Sequence, residues 1–148
     1  MTWKPNVTVA AVIERGGRFL LIEEDDEGDR VFNQPAGHWE PNETLLEACA
    51  REALEESACR FVPTALLGIY RWHHAARDIT YLRFAFCGEI SGFEEGRALD
   101  RDILRAIWLT ADEIRSLRER HRSPLVARCI EDYLAGKRFP LGLIAHLP

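Results

Sequence analysis

The sequence predicts a mixed β-sheet covered by helices, in the α/β or α+β class. Three observations carry this. Short apolar runs with β-branched content or strict alternation recur along the chain. Helical patterns with their own start signals stand between and after them. No repeat, low-complexity tract or Pro/Ser-rich linker separates strands from helices, so both kinds are expected in one domain, residues 1–148.

The elements follow in order. Val7 to Ile13 is short, apolar and β-branched, Glu14-Arg15-Gly16-Gly17 supplies turn chemistry, and Phe19 to Ile22 resumes the apolar pattern, which reads as a hairpin. Glu23 to Asp29 sets six acidic residues around one glycine and reads as a solvated loop, with metal binding as the alternative. Val31 to His38 reads as a strand and then a loop bent by Pro35 and Gly37. Pro41-Asn42-Glu43 opens a helix from about Glu43 to Ser57. Leu66 to Trp72 and Thr80 to Cys87 read as strands; the second alternates Leu82, Phe84 and Phe86 against Tyr81, Arg83 and Ala85. Ile103 to Leu109 is a further strand. Thr110-Ala-Asp-Glu113 is a capping box for a short helix through Arg118. Ser123-Pro124 starts a last helix to about Leu134, with Gly136 after it.

Composition excludes several classes. The chain has 148 residues, 47% apolar and 29% charged, which is the size and make-up of one globular domain. A net charge of -5 with no basic stripe argues against a nucleic-acid polymer as partner. No apolar run approaches the roughly 20 residues of a membrane span. MTWKPNVTVAAV lacks a signal-peptide layout, so the expected location is cytoplasmic. Cys49, Cys59, Cys87 and Cys129 sit among apolar neighbours without metal-site spacing and read as small buried hydrophobes.

The chemistry concentrates in Gly37 to Cys59. With Glu52 at zero on an ideal helix, Glu55 lies at about -60° and Glu56 at about +40°. Leu46, Cys49, Ala50 and Ala53 span about +60° to +160° and mark the core face, so the carboxylates abut the core. Like charges three and four residues apart repel, more so where screening falls. A hard divalent cation with oxygen ligands compensates. Arg51 is placed to hold a carboxylate bidentately. Glu47 stands four residues before Arg51 in the favourable ion-pair order. Glu43 begins the helix, where the dipole favours an anion.

The spacing Gly37-x5-Glu43-x7-Arg51-Glu52-x2-Glu55-Glu56 resembles the signature of the Nudix hydrolases, which sets six residues at given distances. It departs at Ala58, where the family usually has a glycine that ends the helix. Lys4 to Ala10, Asn33 to His38, Leu82-Arg83-Phe84, Arg122 to Ala127 and Arg138 to Leu141 resemble the NudJ-type phosphatase subgroup.

That resemblance implies an α/β/α sandwich with a mixed sheet, and a Mg²⁺- or Mn²⁺-dependent hydrolase. It makes Glu52, Glu55 and Glu56 the metal carboxylates, with Glu52 or Glu55 helping to activate water. Arg51 would orient them, Gly37 and Glu43 would complete the signature, and the backbone carbonyl of Ala36 or Gly37 would add a ligand. A further acid is expected from Asp102, ahead of Asp100, with Glu94 and Glu95 behind. The subgroup implies release of phosphate from nucleoside di- and triphosphates and from hydroxymethylpyrimidine diphosphate, by a monomer. Cleavage between the α and β phosphates, of nucleoside triphosphates or ADP-ribose-like compounds, is the rival activity. A non-catalytic ligand-binding module is the rival class.

Substrate contacts are sought among basic and aromatic side chains. Arg83, on an otherwise apolar strand, reads as a phosphate contact or a structural ion pair. Trp72, His73 and His74 are candidates for stacking on a base, as are Trp3 and Trp39, while Trp108 reads as core. Gln34 reads polar ring edges or caps its loop. Arg122 beside a helix start is a candidate phosphate contact. His38 and His121 carry no readable partner.

Overall fold

A computed structural model describes residues Met1–Pro148. β1 (Asn6–Val12) lies inside a four-stranded sheet with β5 (Ala36–His38), β7 (Ile79–Phe93) and β6 (Cys59–His74), in the order β5-β1-β7-β6. β1 runs parallel to β7 and antiparallel to β5, so the sheet is mixed. The second sheet is built on β3 (Arg18–Asp26). β2 (Glu14–Arg15) and β4 (Asp29–Asn33) pair with β3, and so does β8 (Ile103–Thr110).

The first sheet is covered on both faces. Val9, Ala11 and Ile13 join Phe86 in a core cluster under α1 (Leu45–Ser57). Ala10 and Val12 join Ala85 and Cys87 in a second cluster under α3 (Leu125–Leu134), which also takes Ile114 of α2 (Ala111–Ser116). The strict alternation along β1 between two apolar clusters is what a strand buried on both faces requires. All four cysteines are buried and free. No helix is long and apolar enough to cross a membrane.

Several elements differ from expectation. The hairpin expected between residues 7–13 and 19–22 is short: beyond β2 it reaches only Ile13, whose O accepts from Leu20 N–H at 3.0 Å. Only the short β2 turns back on β3, through Gly16 and Gly17, both at positive φ, while β1 leaves for the other sheet. β1 is apolar on both sides and finds more burial between β5 and β7 than beside an edge. The acidic run is not a solvated loop. Glu23 to Asp26 continue β3, and the turn is confined to Glu27-Gly28. β3 is buried on both faces from Phe19 to Glu24, so both side chains are covered. Arg105 and Arg120 meet Glu23, and Arg122 meets Glu24. Burial raises the Glu23 carboxyl, but its two arginines outweigh burial and hold it below the ordinary range.

The helix that carries the acids begins two residues later than expected. Thr44 is its N-cap, accepting from Glu47 N–H while the Glu47 side chain accepts from Thr44 N–H. This capping box was legible as Thr44-x-x-Glu47. Glu43 is therefore outside the helix, and Glu47 serves the cap instead of Arg51. At the other end Ala58 takes the left-handed conformation, φ 62°, and its N–H closes on Leu54 O. The helix thus ends as it would with glycine, at the cost of placing a Cβ where glycine is preferred.

Candidate metal centre and adjoining pocket

α1 buries Leu45, Ala48, Cys49, Glu52, Ala53 and Glu56. On the wheel used above these span about -40° to +100°. Glu52 and Glu56 therefore lie within the buried face, not beside it. What they face is β5. Gly37 packs so closely that a Cβ there would sit 2.2 Å from the Glu52 carboxyl carbon. Only a residue without a side chain admits that carboxylate. β5 is an edge strand, and its Ala36 N–H donates to Glu56 Oε1 at 2.8 Å.

Arg51 ties the outer carboxylates together. Its Nε and Nη2 donate to the two oxygens of Glu43 at 3.0 and 2.8 Å, a bidentate pair. Nη1 donates to Glu52 at 2.8 Å and reaches Glu55 at 3.4 Å, and Nη2 also donates to His38 O at 3.0 Å. The hydrogen bonds from Arg51 hold the Glu43 carboxyl below its ordinary range against the effect of burial.

The acid that the fold brings to Glu52 and Glu55 is Asp100. One oxygen each from Glu52, Glu55 and Asp100 lies within 4.8 Å of the others. Asp100 is brought there by its own N–H, which donates to Glu55 O at 3.0 Å. Asp102, the residue favoured from sequence, is exposed, and its carbonyl accepts from Asp25 N–H at the edge of β3. Glu94 pairs with Arg60 and Arg97. Three converging carboxylates fit a hard cation with oxygen ligands. The protonation pattern supports that fit. Burial pushes Glu52 up to about 7, with Glu55 and Asp100 adding to it and Arg51 opposing. Burial, helped by the charges of Glu52, Glu24 and Asp100, pushes Glu56 up to about 9 against the Ala36 N–H. The site gathers more negative charge than its own groups neutralise.

Beyond Ala36, Gly37 and His38 lies a pocket over the first sheet, walled by Trp72, Tyr81 and Arg83. Trp72 stacks on Tyr81 at 5.7 Å and 15° and leans on His74. Arg122, half exposed at the rim, is paired with Glu24. Gln34 is fully buried, donates to Val126 O at 2.9 Å and accepts from Arg83. Arg83 is not in a structural ion pair. It is the only buried cation of the chain, and its hydrogen bonds go to Gln34 and Asn33. Trp39 donates to Glu43 O at 2.7 Å, Trp3 is exposed, and Trp108 packs beside the α1 cluster under Arg15. His73 meets Thr80, and His121 meets Ile114 O. The sequence offered Asp100 but favoured Asp102, and it gave no sign of Glu24 as a buried partner. Phe19 to Glu24 are buried without alternation, so no local pattern marked Glu24.

Comparison with known proteins agrees with this geometry. The NUDIX domain family matches residues 3–129. Phosphatase NudJ of Escherichia coli strain K12 is 42% identical over 143 residues, 96% of this chain and 92% of that protein. A NUDIX hydrolase from Nitrosomonas europaea superposes with a TM-score of 0.96 at 52% identity, over 97% of this chain and 98% of that one. An ADP-ribose pyrophosphatase from Streptococcus suis shares the fold alone: TM-score 0.69, 13% identity, 92% of this chain and 96% of that one. With its signature residues gathered around one acidic centre and its match to the family running over most of its length, the chain belongs to the Nudix hydrolases, enzymes that act on phosphoric anhydrides.

Proposed function

We propose that the protein is a divalent-metal-dependent phosphatase that removes phosphate from nucleoside di- and triphosphates and from hydroxymethylpyrimidine diphosphate. The observation that carries this reading is the 42% identity to phosphatase NudJ over nearly the whole chain, with Glu52, Glu55 and Asp100 converging in the fold. Glu52, Glu55 and Asp100 would hold Mg²⁺ or Mn²⁺, with Glu56 behind them and a β5 carbonyl at Ala36 or Gly37 available. The cation supplies charge neutralisation on the phosphoryl oxygens. Arg51 keeps Glu52 and Glu55 in place through Glu43. Glu52, with a pKa near neutrality, and the more exposed Glu55 are the carboxylates placed to take a proton from the attacking water. Water adds to phosphorus, the anhydride P–O bond breaks, and orthophosphate leaves. Trp72 and Tyr81 offer an aromatic wall to the organic part of the substrate. The substrate is a small molecule, and the working unit is a monomer in the cytoplasm.

A substrate panel at fixed Mg²⁺, with products separated, tests this. Nucleoside di- and triphosphates, ADP-ribose and hydroxymethylpyrimidine diphosphate are compared in wild type and Glu56→Gln. Orthophosphate from several substrates, lost in the variant, is the expected result. Pyrophosphate or paired monophosphates as products would overturn the phosphatase reading.

A further inference from the structure

Every buried acid of the chain has a way to shed or share its charge. Glu23 and Glu24 face arginines, Asp132 faces Arg128 and Lys137, and Glu56 is pushed toward its protonated form. Arg83 has no such way. A guanidinium stays protonated in proteins, so burial leaves it charged. The residue is 4% exposed, and it makes no ion pair. Nη1 donates to Gln34 Oε1 at 2.9 Å and lies 3.7 Å from Cys129 Sγ; Nη2 donates to Asn33 Oδ1 at 3.0 Å. These partners are neutral. Nε is buried and has no hydrogen-bond partner at all, the only side-chain N or O atom so placed in the chain. Fully buried Gln34 is itself tied to α3 through Val126 O, which keeps the guanidinium in one orientation.

The surroundings sharpen the contrast. Arg83 lies in the wall of the pocket behind β5, with Arg77 and Arg122. Arg77 is paired with Asp26 and Glu27, and Arg122 with Glu24. Only Arg83 is left with a whole positive charge. Nε–H has no partner and Nη2, with two hydrogens, has one, and these neighbouring nitrogens make up the side fork of the guanidinium. Two oxygens of one phosphate fit that fork. A neutral carbonyl would fill one donor and leave the charge uncompensated.

We propose that Arg83 is a phosphate-binding residue: it seats an anionic phosphate of the substrate, or the orthophosphate product, on the side of β5 opposite the acidic centre. This deepens the reading of the site as one for phosphoric anhydrides and rests on it for the source of the phosphate. Binding at Arg83 needs no metal, because none of its partners belongs to the acidic cluster. That separates the two readings experimentally.

The test is titration of the whole chain with inorganic phosphate in excess EDTA, by calorimetry and by Trp fluorescence, against chloride at equal ionic strength. Wild type, Arg83→Gln and Glu52→Gln are compared. Saturable phosphate binding in wild type is expected, weakened about tenfold or more in Arg83→Gln and unchanged in Glu52→Gln. No phosphate-specific binding in wild type, or equal binding in Arg83→Gln, overturns the assignment. If Arg83→Gln fails to fold, wild-type crystals soaked in phosphate and EDTA decide. Density on Arg83 Nε and Nη2 supports the site; density only elsewhere, an adventitious ion only, overturns it. A protein that binds phosphate at Arg83 but hydrolyses no anhydride would keep the site and sink the proposed activity. Hydrolysis without phosphate binding at Arg83 would do the reverse.

Discussion

The two sides of β5 solve opposite electrostatic problems by different means. On the α1 side, Glu52, Glu55, Glu56 and Asp100 crowd around a strand with no side chain at Gly37. On the other side a single guanidinium is buried among amides. The acid side can relax by taking up protons, because burial pushes Glu52 and Glu56 toward their protonated forms. The arginine side cannot, and the cost of a buried charge without a counter-charge, several kcal/mol, stays in the free protein at about any pH. The acidic centre is thus adjustable, while the Arg83 pocket is permanently short of an anion.

The largest test of this contrast is on the acid side. Glu52→Gln should lower kcat by about 10²–10⁴-fold with little loss of fold, as measured by single-turnover hydrolysis beside a thermal melt. A variant within threefold of wild type would move the chemistry away from this helix. Gly37→Ala comes next. Its Cβ would displace the end of the Glu52 side chain, which is flexible, so folding should survive while kcat/KM falls about 100-fold. Unchanged turnover would show that the close approach of β5 is only packing.

Arg51→Ala should destabilise the protein by about 2–3 kcal/mol in urea melts, because Glu43 and Glu52 both lose a charged partner. A loss below about 0.5 kcal/mol would mean that water replaces Arg51 freely. The acid side should also show a pH signature. Glu52 and Glu56 have folded-state pKa values above the unfolded 4.5, so the folded protein holds extra protons from that pH upward. Their contribution to stability is complete below about pH 4.5 and declines as pH rises through about 7 and toward 9. Melts in EDTA from pH 5 to 9 should show this decline, and Mg²⁺ should flatten it. A decline that Mg²⁺ leaves untouched would detach these groups from the cation site. The smallest effect is at the helix end. Ala58→Gly should relieve the left-handed conformation and stabilise by about 0.5–1 kcal/mol, read as a rise of a few degrees in Tm. A loss would mean that the methyl group, buried at 3% exposure, packs better than the backbone strains.

What the sequence by itself determined is what depends on spacing within one element. The run from Arg51 to Glu56 places its acids on one arc at any location in any fold, because 3.6 residues make a turn. The capping boxes at Thr44 and Thr110 and the glycines past helix or strand ends are local in the same sense. The mixed sheet and its helical cover followed from the same periodicities. Tertiary structure alone decided which way those arcs faced and what met them. Glu52 and Glu56 turned out to lie in the buried face because β5 offers Gly37 and the Ala36 N–H there. Asp100 displaced Asp102 because its N–H reaches Glu55 O, a bond across 45 residues that no local pattern encodes. Glu23 and Glu24 left the solvent because β3 is buried on both faces and meets arginines about 80 to 100 positions away. Arg83, one polar residue in an alternating strand, became the buried cation only when Asn33 at the end of β4, Gln34 and α3 closed around it. Charge is written in the sequence, but whether a charge is compensated depends on partners distant in sequence, and only the packed chain sets those distances.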